Sequence, residues 1–141
     1  MTENESPFPP SIIQHVSIGT NDFEASKAFY DAVMPSLGAK PIMSHPGAVA
    51  YGVLFPELWI QTPIDGEPAS VGNGTHIALM AHSKEAVDAF WKAAKAAGAT
   101  GDGAPGPRPE YTDAYYGCFV RDPDGHKLEA TYWDQSKAPA M

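Results

Sequence analysis

Two imidazoles, a carboxamide and a carboxylate stand where strand alternation can bring them to one face: His15, His76, Gln61 and Glu129. Nitrogen and oxygen donors without a thiolate suit a divalent first-row ion such as Zn, Ni, Co, Mn or Fe(II). Each residue alone has a plainer reading. A mid-strand acid is ordinarily solvated, and a lone strand histidine is ordinarily hydrogen-bonded in place. A repeat is what joins them. His15 and His76 are 61 positions apart, and so are Phe29-Tyr30 and Phe90-Trp91. Gly38-Ala39 and Gly98-Ala99 are 60 apart, and aligning Ile60-Gln61 with Leu128-Glu129 gives an offset of 68. That alignment puts a ligand-type residue in the first and the last strand of each half.

Strands must hold these side chains. Residues 11–19 alternate, with Ile12, Val16 and Ile18 on one face and Ile13, His15 and Ser17 on the other. Asn21, with Glu24 three residues on, reads as a loose capping box for a helix carrying Phe29, Ala32 and Val33, which Pro35 and Gly38 end. Strands are expected over Lys40 to Met43, Val49 to Phe55 and Leu58 to Thr62. The same order recurs. Thr75 to Ala81 alternates with His76, Ala78 and Met80 on one face, and Ser83 caps a helix with Val87, Phe90 and Ala94 in its apolar stripe. An irregular Gly- and Pro-rich strand is expected from Thr100 to Pro109. A hairpin then turns at Asp122-Pro123-Asp124-Gly125, where proline presets the bend and glycine tolerates positive φ.

The fold class this predicts is α+β, built from two tandem βαβββ modules. The expected division is a loose lead over 1–11, a first module over 12–64, a linker over 65–74, a second module over 75–134 and a tail over 135–141. Each helix can cover one face of its sheet, so Ile12, Val16, Ile18, Ile77, Leu79, Leu128 and Ala130 are expected beneath the helices. The other face carries the four candidates and must meet the other half or a second chain.

Composition removes several function classes. The 141 residues make one domain, and 17 acids against 9 bases give a net charge of −8. Nucleic acid and anionic membranes need a basic footprint that is missing here. The single cysteine, Cys118, excludes an internal disulfide and thiolate zinc sites, and its strand setting predicts a buried, inert thiol. No apolar run approaches the roughly 20 residues that span a bilayer, and no secretion signal is visible, so a cytoplasmic protein is expected. A sheet face left uncovered by the helices must meet another surface, and a homodimer is expected.

The duplicated pattern, the Asp-Pro-Asp-Gly-His-Lys-Leu-Glu of residues 122–129 and the opening His15-Val16-Ser17-Ile18 together resemble the vicinal oxygen chelate superfamily. That group includes glyoxalase I, extradiol dioxygenases, and the fosfomycin and bleomycin resistance proteins. The resemblance runs from Ile12 to Trp133. It implies a glyoxalase-like fold in which the modules pair into a cupped mixed sheet, with one divalent metal ion in the cup held by His15, Gln61, His76 and Glu129. It further implies a glyoxalase-like lyase or isomerase, of the lactoylglutathione lyase type, acting on a small substrate with vicinal oxygens such as a thiol hemithioacetal. Glu129 would then be the proton-carrying base.

Two alternatives follow from the same resemblance. One is a metal-free small-molecule binding protein of the bleomycin-resistance kind. The other is an Fe(II) ring-cleavage dioxygenase using His15, His76 and Glu129, for which a ligating Gln61 would occupy a position that must stay open. Tyr51, Trp59, Met80, Tyr115 and Tyr116 are candidates to line the cup. Arg108, Arg121 and Lys127 are the cations available to a charged substrate. His45, His82 and His126 fall outside the repeat and read as surface or loop residues.

Overall fold

A computed structural model describes residues 10–137. In chain order the elements are β1 (Val16–Gly19), α1 (Phe23–Val33), β2 (Lys40–His45), β3 (Ala48–Gly52) and β4 (Leu58–Gln61), then β5 (His76–Met80), α2 (Lys84–Ala96), β6 (Thr100–Pro107), β7 (Tyr115–Arg121) and β8 (Lys127–Trp133). A short 3-10 helix, Met34–Leu37, follows α1. The expected α+β class and strand–helix–three-strand order are what the chain forms. The expected lead and tail fall largely outside the described residues.

Each half makes one mixed four-stranded sheet, ordered β1-β4-β3-β2 and β5-β8-β7-β6. In both, the first strand runs parallel to the last, and the other pairs are antiparallel. β6 pairs with β7 through register shifts at Gly101, Gly103 and Gly106, which accounts for the irregularity its composition foretold.

Local chemistry places the helices. Asp22 rather than Asn21 is the N-cap of α1, its Oδ1 accepting from Ala25 N at 3.1 Å. Asn21 instead clamps the linker: its Nδ2 donates to Ala69 O at 3.1 Å and its Oδ1 accepts from Ala69 N at 2.7 Å. Ser83 caps α2 as expected, accepting from Ala86 N at 3.0 Å.

The two sheets share a core but no strand pairing. Phe29, Tyr30 and Val33 of α1 and Val87, Phe90 and Ala94 of α2 join Val49, Tyr51, Leu58 and Ile60 of one sheet and Cys118, Val120, Leu128 and Ala130 of the other in a single buried cluster. α2 lies on β6, β7 and β8, α1 lies on β4, and the helices meet each other. Each sheet therefore turns its helix-free face away from the common core. Ile12 departs from expectation. It precedes β1 and is 99% exposed, because no partner strand extends far enough to fold it under α1.

The β7–β8 turn fastens one half to the other. Asp122 is buried; its Oδ2 accepts from Tyr30 Oη of α1 at 2.5 Å, and its Oδ1 accepts from the backbone N–H groups of Asp124 and His126 at 3.0 and 2.9 Å. Asp124 Oδ1 accepts from Asn21 N at 3.0 Å. His126, expected at the surface, is buried and donates from Nε2 to Gly19 O at 2.6 Å. Gly125 takes φ +97°, the left-handed value this tight turn demands. No helix among the described residues is long and apolar enough to cross a membrane.

Candidate metal centre

The helix-free face of the second sheet gathers the chemistry. His76 on β5 and Glu129 on β8 sit on neighbouring parallel strands, with Ala78 paired to Glu129 and His76 to Lys127. That two-residue diagonal brings His76 Nε2 to 3.2 Å from Glu129 Oε1. Donor atoms that share an ion at about 2.0–2.2 Å and at roughly tetrahedral to octahedral angles stand about 3.0–3.5 Å apart. The pair therefore fits one edge of a metal's coordination shell. Glu129 is buried beside the half-exposed His76, and its other oxygen, Oε2, accepts from Tyr115 Oη at 2.7 Å. Burial, then the bond to Glu129, holds the Tyr115 phenol well above its ordinary pKa.

The first sheet offers the matching half, with a change of residue. Val16 pairs with Leu58 and Ile77 pairs with Leu128, so Leu58 and Leu128 are equivalent and the offset between the last strands is 70, not 68. The antiparallel neighbours agree, since Ala50 pairs with Trp59 as Phe119 pairs with Glu129. The repeat mate of Glu129 is thus Trp59, and the mate of Gln61 is Thr131. His15 keeps its equivalence to His76. It lies exposed just before β1, with Nδ1 against the side chain of Gln14.

Gln61 is consequently four strand positions along from His15, roughly 13 Å at the usual rise, whereas Glu129 is two positions along from His76. It serves a different place. With Ser17, Gly19, Pro63, Asp65 and Ser70 it lines an open pocket of about 300 Å³. The linker clamped by Asn21 forms the outer wall. A Cβ at Gly19 would stand 3.0 Å from Ala69 Cβ, so the close pass of the linker calls for glycine there.

The other expected residues divide by face. Trp59 is on the helix-free face, stacked on His45 with ring centroids 6.1 Å apart and planes at 6°. Met80 is on the corresponding face of the second sheet and 71% exposed. Tyr51 and Tyr116 are not on these faces, which corrects their expected place in a cup. Tyr51 pairs with buried Leu58 and donates to Asp31 Oδ1 at 2.8 Å, and Tyr116 donates to Asp88 Oδ1 of α2 at 2.7 Å. Arg108 folds back on the end of β6, donating to Ala104 O at 2.7 Å and Pro107 O at 3.2 Å. Arg121 and Lys127 both reach Asp102 Oδ2, at 3.2 and 3.7 Å. Cys118 is buried against α2, and loss of water pushes its thiol up to about 11, as expected of an inert cysteine.

Among the described residues no three His, Cys, Asp or Glu side chains gather at one point. The reason is architectural: His15 belongs to the outward face of one sheet, and His76 and Glu129 to the outward face of the other.

Residues 12–130 match the sequence profile of the Glyoxalase/Bleomycin resistance protein/Dioxygenase superfamily. No curated protein matches the sequence. Among solved structures, a glyoxalase/bleomycin resistance protein from Albidiferax ferrireducens T118 is 40% identical over 86% of this chain and 98% of its own, with a TM-score of 0.78. A glyoxalase-related enzyme from Fulvimarina pelagi is 21% identical, covering 87% of this chain and 88% of its own with a TM-score of 0.66. The genomically encoded fosfomycin resistance protein FosX from Listeria monocytogenes is 20% identical, covering 86% and 92% with a TM-score of 0.61. These last two share the fold.

Proposed function

The chain belongs to the Glyoxalase/Bleomycin resistance protein/Dioxygenase superfamily, and on that premise we propose that it is a divalent-metal-dependent enzyme acting on a small substrate with two vicinal oxygens. The ion is held by His15 of one chain and by His76 and Glu129 of a second copy. The observation that carries this reading is the 3.2 Å approach of His76 Nε2 to Glu129 Oε1 on a face that points away from the chain's own core. Met80, Trp133 and Met43, exposed on the two outward faces, support burial of those faces in a homodimer.

The register favours one reaction class over another. Two imidazoles and one carboxylate form the donor set of a facial triad, which leaves positions open for substrate. When bound, the ion supplies Lewis-acid polarisation of the substrate's oxygens and, as Fe(II), activation of dioxygen. Trp59 stands at the register position of a fourth donor, which supports a ring-cleavage dioxygenase, whose iron needs that position open. Trp59, its ring parallel to that of His45, supplies an aromatic surface on which a planar ring could stack.

A glyoxalase-like lyase or isomerase needs a carboxylate free to carry a proton between adjacent carbons. In the proposed centre Oε1 of Glu129 faces the ion and Oε2 accepts from Tyr115, which leaves neither oxygen free for that transfer. That makes the isomerase the second reading, supported by Glu129 being the buried carboxylate of that face.

Elemental analysis of untagged protein incubated with Fe(II), Zn, Ni, Co and Mn, with His76→Ala as control, tests the metal. About one equivalent per chain is expected, absent from the variant; less than about a tenth for every metal contradicts the reading. Oxygen consumption with Fe(II) and catechols then separates the dioxygenase from an isomerase, which turns over hemithioacetals without oxygen.

A further inference from the structure

Tyr115 splits the two oxygens of Glu129. Its phenol donates to Oε2 at 2.7 Å, whereas Oε1 is the oxygen beside His76, at 3.2 Å. We propose that Tyr115 is a positioning residue that reserves Oε2, so that Glu129 offers a single oxygen to a metal and leaves room for both oxygens of the substrate. This rests on the assignment of His76 and Glu129 as ligands.

The phenol is built into place. Tyr115 pairs with Trp133 across the β7–β8 ladder, so its hydroxyl must lean along the sheet to reach Glu129, which pairs with Phe119. The intervening residue on that face of β7 is Gly117. A Cβ there would lie 2.3 Å from Tyr115 Oη and 2.6 Å from its Cζ, so glycine gives the ring its path. Tyr111 and Trp133 close on the ring edge-to-face, with centroids 5.1 and 6.2 Å away, and Tyr115 is 4% exposed. Such packing fixes the ring and with it the hydroxyl. A carboxylate whose second oxygen is free can bind a cation with both; one whose second oxygen accepts a buried hydrogen bond gives up that bond to do so.

The consequence is a selective one. Tyr115→Phe keeps the ring contacts and removes the donor, so Glu129 is released to chelate and takes a position the substrate needs. Co(II)-loaded protein is titrated with azide, which binds through one atom, and with acetohydroxamate, which binds through two vicinal oxygens, with visible absorption as the readout. The wild-type protein should bind both. Y115F should take up cobalt and bind azide within about twofold of wild type, and bind acetohydroxamate about tenfold or more weakly. Tyr115→Met, an unbranched apolar side chain that likewise lacks the donor, should show the same selective loss and stands in if Y115F fails to fold. Unchanged hydroxamate affinity in a folded variant, or loss of cobalt altogether, overturns the role of Tyr115 alone. A wild-type protein that takes up no cobalt overturns the ligand assignment on which it rests.

Discussion

Trp59 and Glu129 occupy the same register position in the two halves of the chain, each one step beyond a buried leucine that pairs with the first strand of its sheet. One half thus presents an indole where the other presents a carboxylate. The candidate donor set shrinks from four residues to three, and Gln61 moves into the wall of a pocket beside it.

Gln61→Ala should therefore leave metal affinity within about twofold of wild type, and His15→Ala should lower it on the order of a hundredfold. Competition with a chromophoric chelator measures both. A loss in Gln61→Ala as large as that in His15→Ala would restore Gln61 as a ligand.

The outward pleat was legible in the sequence, but the step along it was not. Alternation has a period of two, so a two-residue slip in aligning the last strands leaves every side chain on its correct face. Gln61 and Trp59 both pass that test, and only the pairing of Val16 with Leu58 separates them. Tyr51 and Tyr116 were misread for a different reason, since it is their face and not their step along the strand that differs. As polar aromatics they read as cup residues, yet each pairs within the helix-side core and satisfies its hydroxyl on an acid of a helix, Asp31 or Asp88. His76 and Glu129 were legible because a histidine in the first strand and an acid in the last of one module must come close once those strands run parallel. Tyr115 carried no such signal, since its reach to Glu129 depends on the gap at Gly117.

Asp122 should be a stability hot spot. Its carboxylate accepts from Tyr30 and from two backbone N–H groups in a buried setting. Asp122→Ala strands all three donors, a loss of about 3 kcal/mol, whereas Tyr30→Phe removes one bond, about 1.5 kcal/mol. Urea denaturation followed by circular dichroism measures the difference. Equal stability of Asp122→Ala and wild type would show that the turn does not fasten the halves.

Alkaline pH should weaken the fold through its buried phenols. Tyr30, Tyr51 and Tyr115 are all raised above the ordinary 10.0, each chiefly by burial. A phenol raised in the native state contributes stability that is complete below its unfolded value and is lost as pH climbs toward the native one. The urea midpoint should thus be insensitive to the titration of these groups between about pH 7 and 9, where their contribution is complete, and should fall above about pH 10. Tyr30→Phe should flatten that fall. A wild-type midpoint that holds from about pH 9 to 11.5 would contradict the burial of these hydroxyls.

Cys118 should be silent until the protein unfolds. With its thiol buried and pushed up to about 11, it stays protonated and shielded at mildly alkaline pH. Labelling with a thiol-reactive chromophore at about pH 8 should reach one equivalent in urea and almost none in the native protein. Rapid native labelling would place the thiol outside the core.

Each metal centre, as proposed, draws His15 from one chain and His76 with Glu129 from another. Complementation tests it directly. His15→Ala and His76→Ala are unfolded together, refolded and loaded with metal, alongside each variant alone. A mixed dimer has one site with both defects and one site intact, and half of the dimers should be mixed, so about a quarter of the wild-type metal should return. Metal content of the mixture no higher than that of the separate variants would contradict a centre shared between chains.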